Sequence, residues 1–390
     1  MDRPTSLPTR QRIPEWDILR TCAFTAVVLQ HVLGSWARRP EIGQAGRLAC
    51  AALFEPLRFA VPLFVFLFAC GLFHSRSFSY GRYLKKRLGQ LALPYVLWTV
   101  FYLLYRRVPL TPGNLVRSLI FGDGNYHLWY VVMILQFVVL APLLLQLRRW
   151  LDRRWFVAVC LALWLAYLYL TPRCSGPGLL GAIFFRRRTL VFASWMGYFL
   201  LGACCGAYYD AFCRFARRAL PVTALVYAGA LAVGIWRSCR YVLTQQDITF
   251  SCMSLLGPVY ALCILCAIAC LYAIALRCGL WGGFARVCSW IGRHSYEAYL
   301  AHALLMNLGS MLLLHFLPTG PLWLFYLLLS LITWAGALAA GAGIDGIIAL
   351  GKRLSKRILQ KRSPSHETRS NHRRLPGHRR GSCRGLRRSG

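Results

Sequence analysis

Residues 252–276 read CMSLLGPVYALCILCAIACLYAIAL, a run of 25 positions without an Asp, Glu, Lys or Arg side chain. The hydrocarbon core of a bilayer, about 30 Å thick, is crossed by about 20 residues of α-helix. A helix satisfies its backbone hydrogen bonds within its own segment, which an irregular chain in lipid cannot do. The run therefore predicts a transmembrane helix.

Similar apolar segments recur along the 390 residues, of which 57% are hydrophobic. Soluble domains contain about 45–50% apolar residues, so the excess indicates a membrane protein. We predict an all-α polytopic bundle of about ten transmembrane helices within residues 1–351. The predicted spans are 17–36, 51–73, 91–105, 127–147, 155–171, 189–209, 220–236, 252–276, 294–316 and 322–350. Residues 352–390 are polar and basic, and we expect them to form a disordered cytoplasmic tail.

The chain carries 46 Lys and Arg residues against 12 Asp and Glu residues, and most cations lie between the apolar segments or after the last one. This distribution is typical of membrane topology signals, and no nucleic acid is expected as a partner. With a cytoplasmic N-terminus, cytoplasmic segments hold 18 cations, opposite segments hold 12, and the tail adds 14. Ten spans then place both termini in the cytoplasm. The run 186–188, three arginines on the opposite side, is the main violation of the rule.

Sixteen cysteines are scattered along the chain, many of them inside apolar segments. Cysteine in such a segment behaves as a small hydrophobic residue. The pair Cys263-x-x-Cys266 lacks a second pair, so no metal site is predicted.

The first span contains two ionisable side chains, Arg20 and His31. Eleven positions at 100° per residue come within about 20° of three full turns, so both residues share one helix face, about 16 Å apart. Asp17, one turn before Arg20, is a candidate ion-pair partner. Ionisable residues inside a membrane are costly and mark functional sites. The alternative is that each side chain extends to its nearer interface.

The ninth span adds a second histidine, His302. Ser295, Tyr299 and His302 recur at i, i+4 and i+7, which is one helix face. His302 is a candidate for the same cavity as His31, or a structural histidine. At the start of the fourth span, His127 precedes Trp129 and Tyr130, and an interfacial aromatic belt explains this group without a function.

Three adjacent cations, Lys85, Lys86 and Arg87, precede the third span on the cytoplasmic side. Clustered cations suit a polyanionic ligand such as a nucleotide diphosphate. An ordinary cytoplasmic anchor is the alternative, because the topology rule alone explains the cluster.

Several of these residues belong to motifs that occur in a recognisable order. The motifs are Arg20-x10-His31, Val61-Pro62-Leu63-Phe64, Lys86-Arg87 followed by Pro94-Tyr95, His127-Leu128-Trp129-Tyr130, Gly197-Tyr198-Phe199-Leu200-Leu201-Gly202, and Ser295-x3-Tyr299-Leu300-x-His302. The ordered set resembles the acyltransferase-3 family of bacterial integral-membrane O-acyltransferases, in a stand-alone form without an appended SGNH-type domain. Two positions depart from the family pattern. Phe68-Ala69, or the displaced Cys70-Gly71, stands in place of Ser-Gly, and Gln90 replaces the second arginine of the basic loop.

The resemblance implies a multi-pass protein of the bacterial cytoplasmic membrane that uses acetyl-CoA or another acyl-CoA as co-substrate, with no permanently bound cofactor. The acceptor would be a hydroxyl of a carbohydrate, a lipid-linked sugar or another cell-envelope molecule. His31, Arg20 and His302 would be the catalytic residues, with His31 acting as general base or as nucleophile. Arg87, Lys86 and Lys85 would hold the CoA phosphates.

Two other readings remain open on the sequence. A polysaccharide or small-molecule exporter of the same broad family would suit a bundle with buried Arg and His equally well. The two motif departures also allow a catalytically inactive scaffold. Acyl-CoA separates these readings, because a transferase must consume it and an exporter need not bind it.

Overall fold

A computed structural model of the chain describes residues 12–75, 78–173, 187–245, 256–317 and 321–362. The chain divides into a unit of residues 1–345 and a unit of residues 346–390. The α-helices are α1 Pro14–Trp36, α2 Gly43–Phe54, α3 Ala60–His74, α4 Tyr80–Arg87, α5 Leu93–Tyr105, α6 Pro112–Phe121, α7 Trp129–Val139, α8 Ala141–Leu145, α9 Arg154–Leu170, α10 Met196–Ala207, α11 Tyr209–Gln245, α12 Pro258–Cys278, α13 Gly282–Phe316 and α14 Leu322–Arg362.

The prediction of an all-α polytopic bundle is confirmed. In the described residues, eight helices are long and apolar enough to cross a membrane, and the pair Trp129–Val139 and Ala141–Trp150, bent by 59°, brings the number to nine. The shorter apolar helix Phe192–Ala207 corresponds to the predicted span 189–209. The ten predicted spans thus match eight long helices, one bent pair and one short helix. The orientation of the termini stays a prediction.

Several helices are longer than the predicted spans: α11 begins at Tyr209 where 220 was predicted, and α13 begins at Gly282 where 294 was predicted. Two further differences concern the basic parts of the sequence. The third span begins at Tyr80, because the basic loop is itself helical and joins α5 through a π-helical turn at Leu88–Ala92. The last helix continues to Arg362, past the predicted boundary at residue 351. The disordered tail predicted for residues 352–390 is therefore described only as far as 362, and the remainder lies outside the described residues.

Helix α1 lies beside α13, and the two helices run in the same direction. The Arg12 guanidinium donates to Ser289 Oγ at 2.7 Å near the start of the contact. Nineteen residues after Arg12 in the chain, the His31 ring of α1 stacks on His302 at a centroid distance of 5.1 Å. This parallel register brings the polar face of α1 onto the polar face of α13. The register therefore decides which ionisable groups meet.

Helices α3 and α10 pack with almost no side chain between them. A Cβ on Gly202 would lie 2.2 Å from the Phe66 carbonyl oxygen, and one on Gly206 would lie 2.4 Å from that of Cys70. Small residues allow this approach of two backbones inside a membrane. The Gly202-x3-Gly206 spacing is thus a packing motif.

A buried ion pair between Glu55 and Arg58 lies inside the bundle, outside the motifs described above. Glu55 and Arg58 are 2% and 6% exposed, and both Glu55 oxygens accept hydrogen bonds from Arg58 Nη1, at 3.2 and 3.1 Å. Ser238 Oγ and Tyr260 OH donate to the same carboxylate at 2.8 and 3.0 Å. Because its charges and hydrogen bonds are matched within the protein, this group is a structural one.

The contact between α3 and α10 predicts that Gly202→Leu destabilises the protein. A leucine side chain must displace the α3 backbone, and overpacking of this kind typically costs about 1–3 kcal/mol. Gly229→Leu is the matched control, because no atom lies within 4 Å of the position its Cβ would occupy. The melting temperature in detergent, monitored by gel filtration, measures the effect. Equal melting temperatures for the two variants would contradict the packing argument.

Candidate active site

Three histidine rings from distant parts of the sequence meet inside the bundle. His31 comes from α1, His302 from α13, and His127 from the turn that precedes α7. The ring of His302 lies 5.1 Å from that of His31, in a stacked arrangement, and 4.6 Å from that of His127, edge to face. His302 and His127 are 0% and 1% exposed. We call these three residues the histidine cluster.

Hydrogen bonds to backbone carbonyls set the tautomers of two cluster members. His302 Nδ1 lies 2.5 Å from the Tyr299 carbonyl oxygen, and His127 Nε2 lies 3.3 Å from that of Leu300. A carbonyl oxygen only accepts, so each of these nitrogens carries a proton. In the neutral rings, His302 Nε2 and His127 Nδ1 then hold lone pairs, and both atoms are buried without a hydrogen-bond partner in the described part of the chain. Each is therefore available to accept a proton.

Tyrosine hydroxyls hold the backbone around the cluster. Tyr299 OH donates to the His127 carbonyl oxygen, and Tyr102 OH donates to that of Leu300 at 2.7 Å. The ring of Tyr299 also packs against His127 and His302, with centroid distances of 5.4 and 5.6 Å. These contacts fix the turn that carries His127 onto α13.

Arg20 is held by Asp17, as the sequence predicts. Arg20 Nη1 donates to Asp17 Oδ1 at 2.6 Å, and Arg12 Nη1 reaches the other oxygen at 3.5 Å. The Asp17 side chain is 5% exposed and that of Arg20 is 34% exposed. A Cβ on Gly292 of α13 would lie 3.3 Å from Asp17 Oδ1, so the helices approach closely at this point. The pair aims the Arg20 guanidinium into a cavity.

This inner cavity of about 220 Å³ is lined by the two arginines Arg20 and Arg87 and by Tyr299, which packs against the histidine cluster. Its walls are mostly apolar, and Tyr130 lies next to Tyr299 in them. The lining residues are Arg20, Phe64, Leu67, Phe68, Gly71, Arg87, Leu91, Tyr130, Val131, Ile134, Gly292, Ser295, Tyr296 and Tyr299. Phe68 and Gly71, at the first motif departure, are thus cavity residues.

A larger basic cavity of about 540 Å³ shares Gly71 and Arg87 with the inner cavity. It is lined by Arg82, Lys86, Arg87 and Gln90, with Phe78 and Tyr83 beside them. Gln90, at the second motif departure, therefore stands in this lining beside the cations.

Lys85 does not line either cavity. At 100° per residue its side chain leaves α4 about 100° from that of Lys86. Lys85 is exposed on another face of the helix. Of the three adjacent cations expected to hold phosphates, Lys86 and Arg87 line the basic cavity, joined by Arg82 from the preceding turn.

The structure brings together Arg20 and Arg87 in one cavity and His31 and His302 in one contact. Sequence reasoning treated His127 as an interfacial residue, whereas it is buried in the cluster. The family-like His127-Leu128-Trp129-Tyr130 motif was the available signal. Tyr126, whose ring lies 4.7 Å from that of His31, was missed, and no spacing rule marks it.

Comparison with known proteins finds one family. The family model described as an acyltransferase domain, of the acyltransferase-3 type, matches residues 13–341. No curated protein and no solved structure matches the chain.

The geometry at Arg20 predicts that Asp17→Asn destabilises the protein, because the variant leaves Arg20 without its charged partner. We expect a loss of about 1–3 kcal/mol in the free energy of unfolding. Asp152→Asn is the control, since Asp152 is exposed and surface changes stay within about 0.5 kcal/mol. Thermal melts of the purified proteins measure both. A melting temperature for Asp17→Asn equal to that of the wild type would show that the pair is not stabilising.

Proposed function

The chain belongs to the acyltransferase-3 family, and from this premise we propose that it moves an acyl group, acetyl in the first instance, from cytosolic acyl-CoA to a hydroxyl of a carbohydrate or other cell-envelope acceptor. The membrane would be the bacterial cytoplasmic membrane. The observation that carries the proposal is the arrangement of the cavities. A basic cavity shares Gly71 and Arg87 with an apolar one, and the lining of the apolar cavity includes Tyr299, which packs against the histidine cluster.

The basic cavity supports binding of the CoA phosphates. Arg82, Lys86 and Arg87 supply three cations from two successive turns of α4. Guanidinium and ammonium groups form charge-assisted hydrogen bonds with phosphate, which are about twice as strong as neutral ones. Gln90 adds an amide donor without a charge.

The inner cavity suits the pantetheine arm of acyl-CoA, which is long, narrow and only weakly polar. Arg20 and His31 are separated by about 16 Å along α1. One extended ligand contacts Arg20 with the arm and reaches the histidine cluster with its thioester. We therefore assign Arg20 to binding and orienting the donor, and His31 and His302 to the chemistry.

In the proposed reaction the acceptor hydroxyl gives its proton to the His31–His302 pair while its oxygen attacks the thioester carbonyl carbon. The carbon–sulfur bond then breaks, and the CoA thiolate takes the proton from the imidazolium as it leaves. The lone pair of His302 Nε2 supports this role, because a neutral imidazole with an unpartnered nitrogen is a general base. The alternative is acyl transfer through a histidine nucleophile, which would leave an acyl-histidine detectable by mass spectrometry.

The proposal predicts that the purified protein binds acetyl-CoA and slowly releases free CoA. His31→Ala should keep the binding and lose the release, by about 10²–10⁴-fold for a general base. His315→Ala is the control, because His315 is exposed at the end of α13. Calorimetry measures binding and a thiol reagent measures release. Absence of acyl-CoA binding by folded protein would reject the transferase and favour the exporter.

The basic cavity predicts a gain of function. Gln90→Arg should tighten acetyl-CoA binding about tenfold, because it adds a guanidinium beside Arg87. Lys86→Gln should weaken binding by a similar factor. Lys85→Gln is the matched control, with the same charge change one residue away and outside the cavity lining. An equal loss of affinity for Lys85→Gln and Lys86→Gln would show that the cavity does not hold the phosphates.

A further inference from the structure

A third cavity, of about 410 Å³, borders the histidine cluster from another direction. It is lined by Arg106, Gly122, Asp123, Asn125, Tyr126 and Trp129, and we call it the outer cavity. Tyr126 forms part of its wall and also packs against the ring of His31 at 4.7 Å. Helix α5 begins next to Leu91 of the inner cavity and ends next to Arg106, about 20 Å away. The outer cavity thus lies toward the other end of α5.

Positive charge is in excess around the outer cavity. Arg187 forms a two-pronged ion pair with Asp123, with nitrogen–oxygen distances of 2.9 and 3.1 Å. Arg117 lies 3.8 Å from the same carboxylate, and Arg106 donates to the Asp123 and Gly124 carbonyl oxygens at 3.3 and 3.2 Å. Two guanidinium groups, those of Arg117 and Arg187, therefore share one carboxylate, and Arg106 binds backbone oxygens beside it. The group carries two uncompensated positive charges.

Arg38 adds to the positive charge around the outer cavity. Burial raises the pKa of Tyr126, and the Arg38 guanidinium opposes that rise, so its charge acts at the cavity wall next to His31. Arg187 belongs to the arginine run at 186–188 that violates the topology rule. Cations on the non-cytoplasmic side oppose correct insertion. A binding role at the outer cavity explains why Arg187 stands there.

Backbone geometry, a hydrogen bond and ring stacking hold the loop that forms the outer cavity in place. Gly122 has a φ of +67°, and a Cβ at this position would lie 2.5 Å from the Trp129 backbone. Asn125, at 8% exposure, accepts a hydrogen bond on its side-chain oxygen from the Tyr126 backbone N–H at 2.8 Å. The Trp129 ring is stacked on Trp195. Aromatic, amide and guanidinium groups are thereby held in place before a ligand arrives.

We propose that the outer cavity binds the acceptor, and that this acceptor carries an anionic group, a carboxylate, phosphate or sulfate, near the hydroxyl that receives the acyl group. This inference rests on the proposed transferase function. Trp129 and Tyr126 offer aromatic faces to a sugar ring, and Arg106 in the cavity lining pairs with the anion. Arg187, bound to Asp123 of the same lining, neutralises that carboxylate and adds positive charge. Tyr126 places the bound hydroxyl beside His31. The donor and acceptor then approach the histidine cluster from separate cavities.

Binding of two trisaccharides to full-length protein in phosphatidylcholine nanodiscs tests the proposal. Trigalacturonate carries carboxylates, and maltotriose is its neutral counterpart. We expect the wild type to bind trigalacturonate about tenfold more tightly than maltotriose. The double variant Arg106→Gln/Arg187→Gln should lose this preference, and Arg106→Lys/Arg187→Lys should keep most of it. Arg240→Gln is the control, because Arg240 is an exposed cation on α11 outside the cavity lining.

A second experiment, with an anionic lipid, identifies the source of the anion. In nanodiscs that contain phosphatidylglycerol, native mass spectrometry reports whether this lipid is retained by the wild type and lost from the double glutamine variant. Arginine-dependent trigalacturonate binding assigns a soluble anionic glycan, and arginine-dependent lipid retention assigns an anionic lipid or a lipid-linked sugar. If neither probe depends on Arg106 and Arg187 in folded protein, the proposal is overturned.

The same samples separate this inference from the proposed function. Acetyl-CoA binding and CoA release test the transferase, whereas the trisaccharide and lipid experiments need no turnover. If the protein binds acetyl-CoA and releases CoA but shows no preference for an anionic probe, the transferase function is supported and the anionic acceptor is rejected. Arginine-dependent probe binding without acyl-CoA binding would reject the transferase, and with it the acceptor role of the outer cavity.

Discussion

A polar group inside an apolar helix bundle must find its partner within the protein, because lipid offers none. The structure meets this constraint in two ion pairs. Asp17 binds Arg20 near the start of α1, and Glu55 binds Arg58 with two further hydroxyl donors. The histidine cluster is different, since His302 Nε2 and His127 Nδ1 stay unpartnered in the described residues. Unpaired buried nitrogens cost free energy, and under the proposed function these two are kept for proton transfer.

Under the proposed function, the cavities determine how each substrate reaches the histidine cluster. The inner and basic cavities meet at Gly71 and Arg87, and together they suit a ligand with an anionic head and a long neutral arm. The outer cavity reaches the same cluster through Tyr126. Under the proposed function, the donor and acceptor therefore need not pass each other. Acyl transfer at a point between two cavities also keeps the thioester away from water until the acceptor hydroxyl is in place.

Charge placement connects topology with recognition. In the predicted orientation, the cations of α4 lie on the cytoplasmic side, and Arg82, Lys86 and Arg87 among them also line a cavity. The same orientation places the arginines around Asp123 on the opposite side, against the topology rule. Their number exceeds what a single carboxylate neutralises, and under the inference drawn above the missing anion is supplied by the acceptor. Membrane insertion then disfavours a cation at Arg187, whereas binding of the acceptor requires one.

The amino-acid sequence by itself determined the all-α bundle and most of its spans, because apolar length and the helical period are local properties. It also determined that Arg20 and His31 share a face and that Asp17 reaches Arg20. Only the tertiary structure decided that His302 stacks on His31, that His127 and Tyr126 join them, and that Lys85 is excluded from the cavity beside Lys86. These outcomes depend on the register between helices distant in sequence, which is set by packing such as that of Gly202 on α3. Periodicity within one helix carries no information about that register.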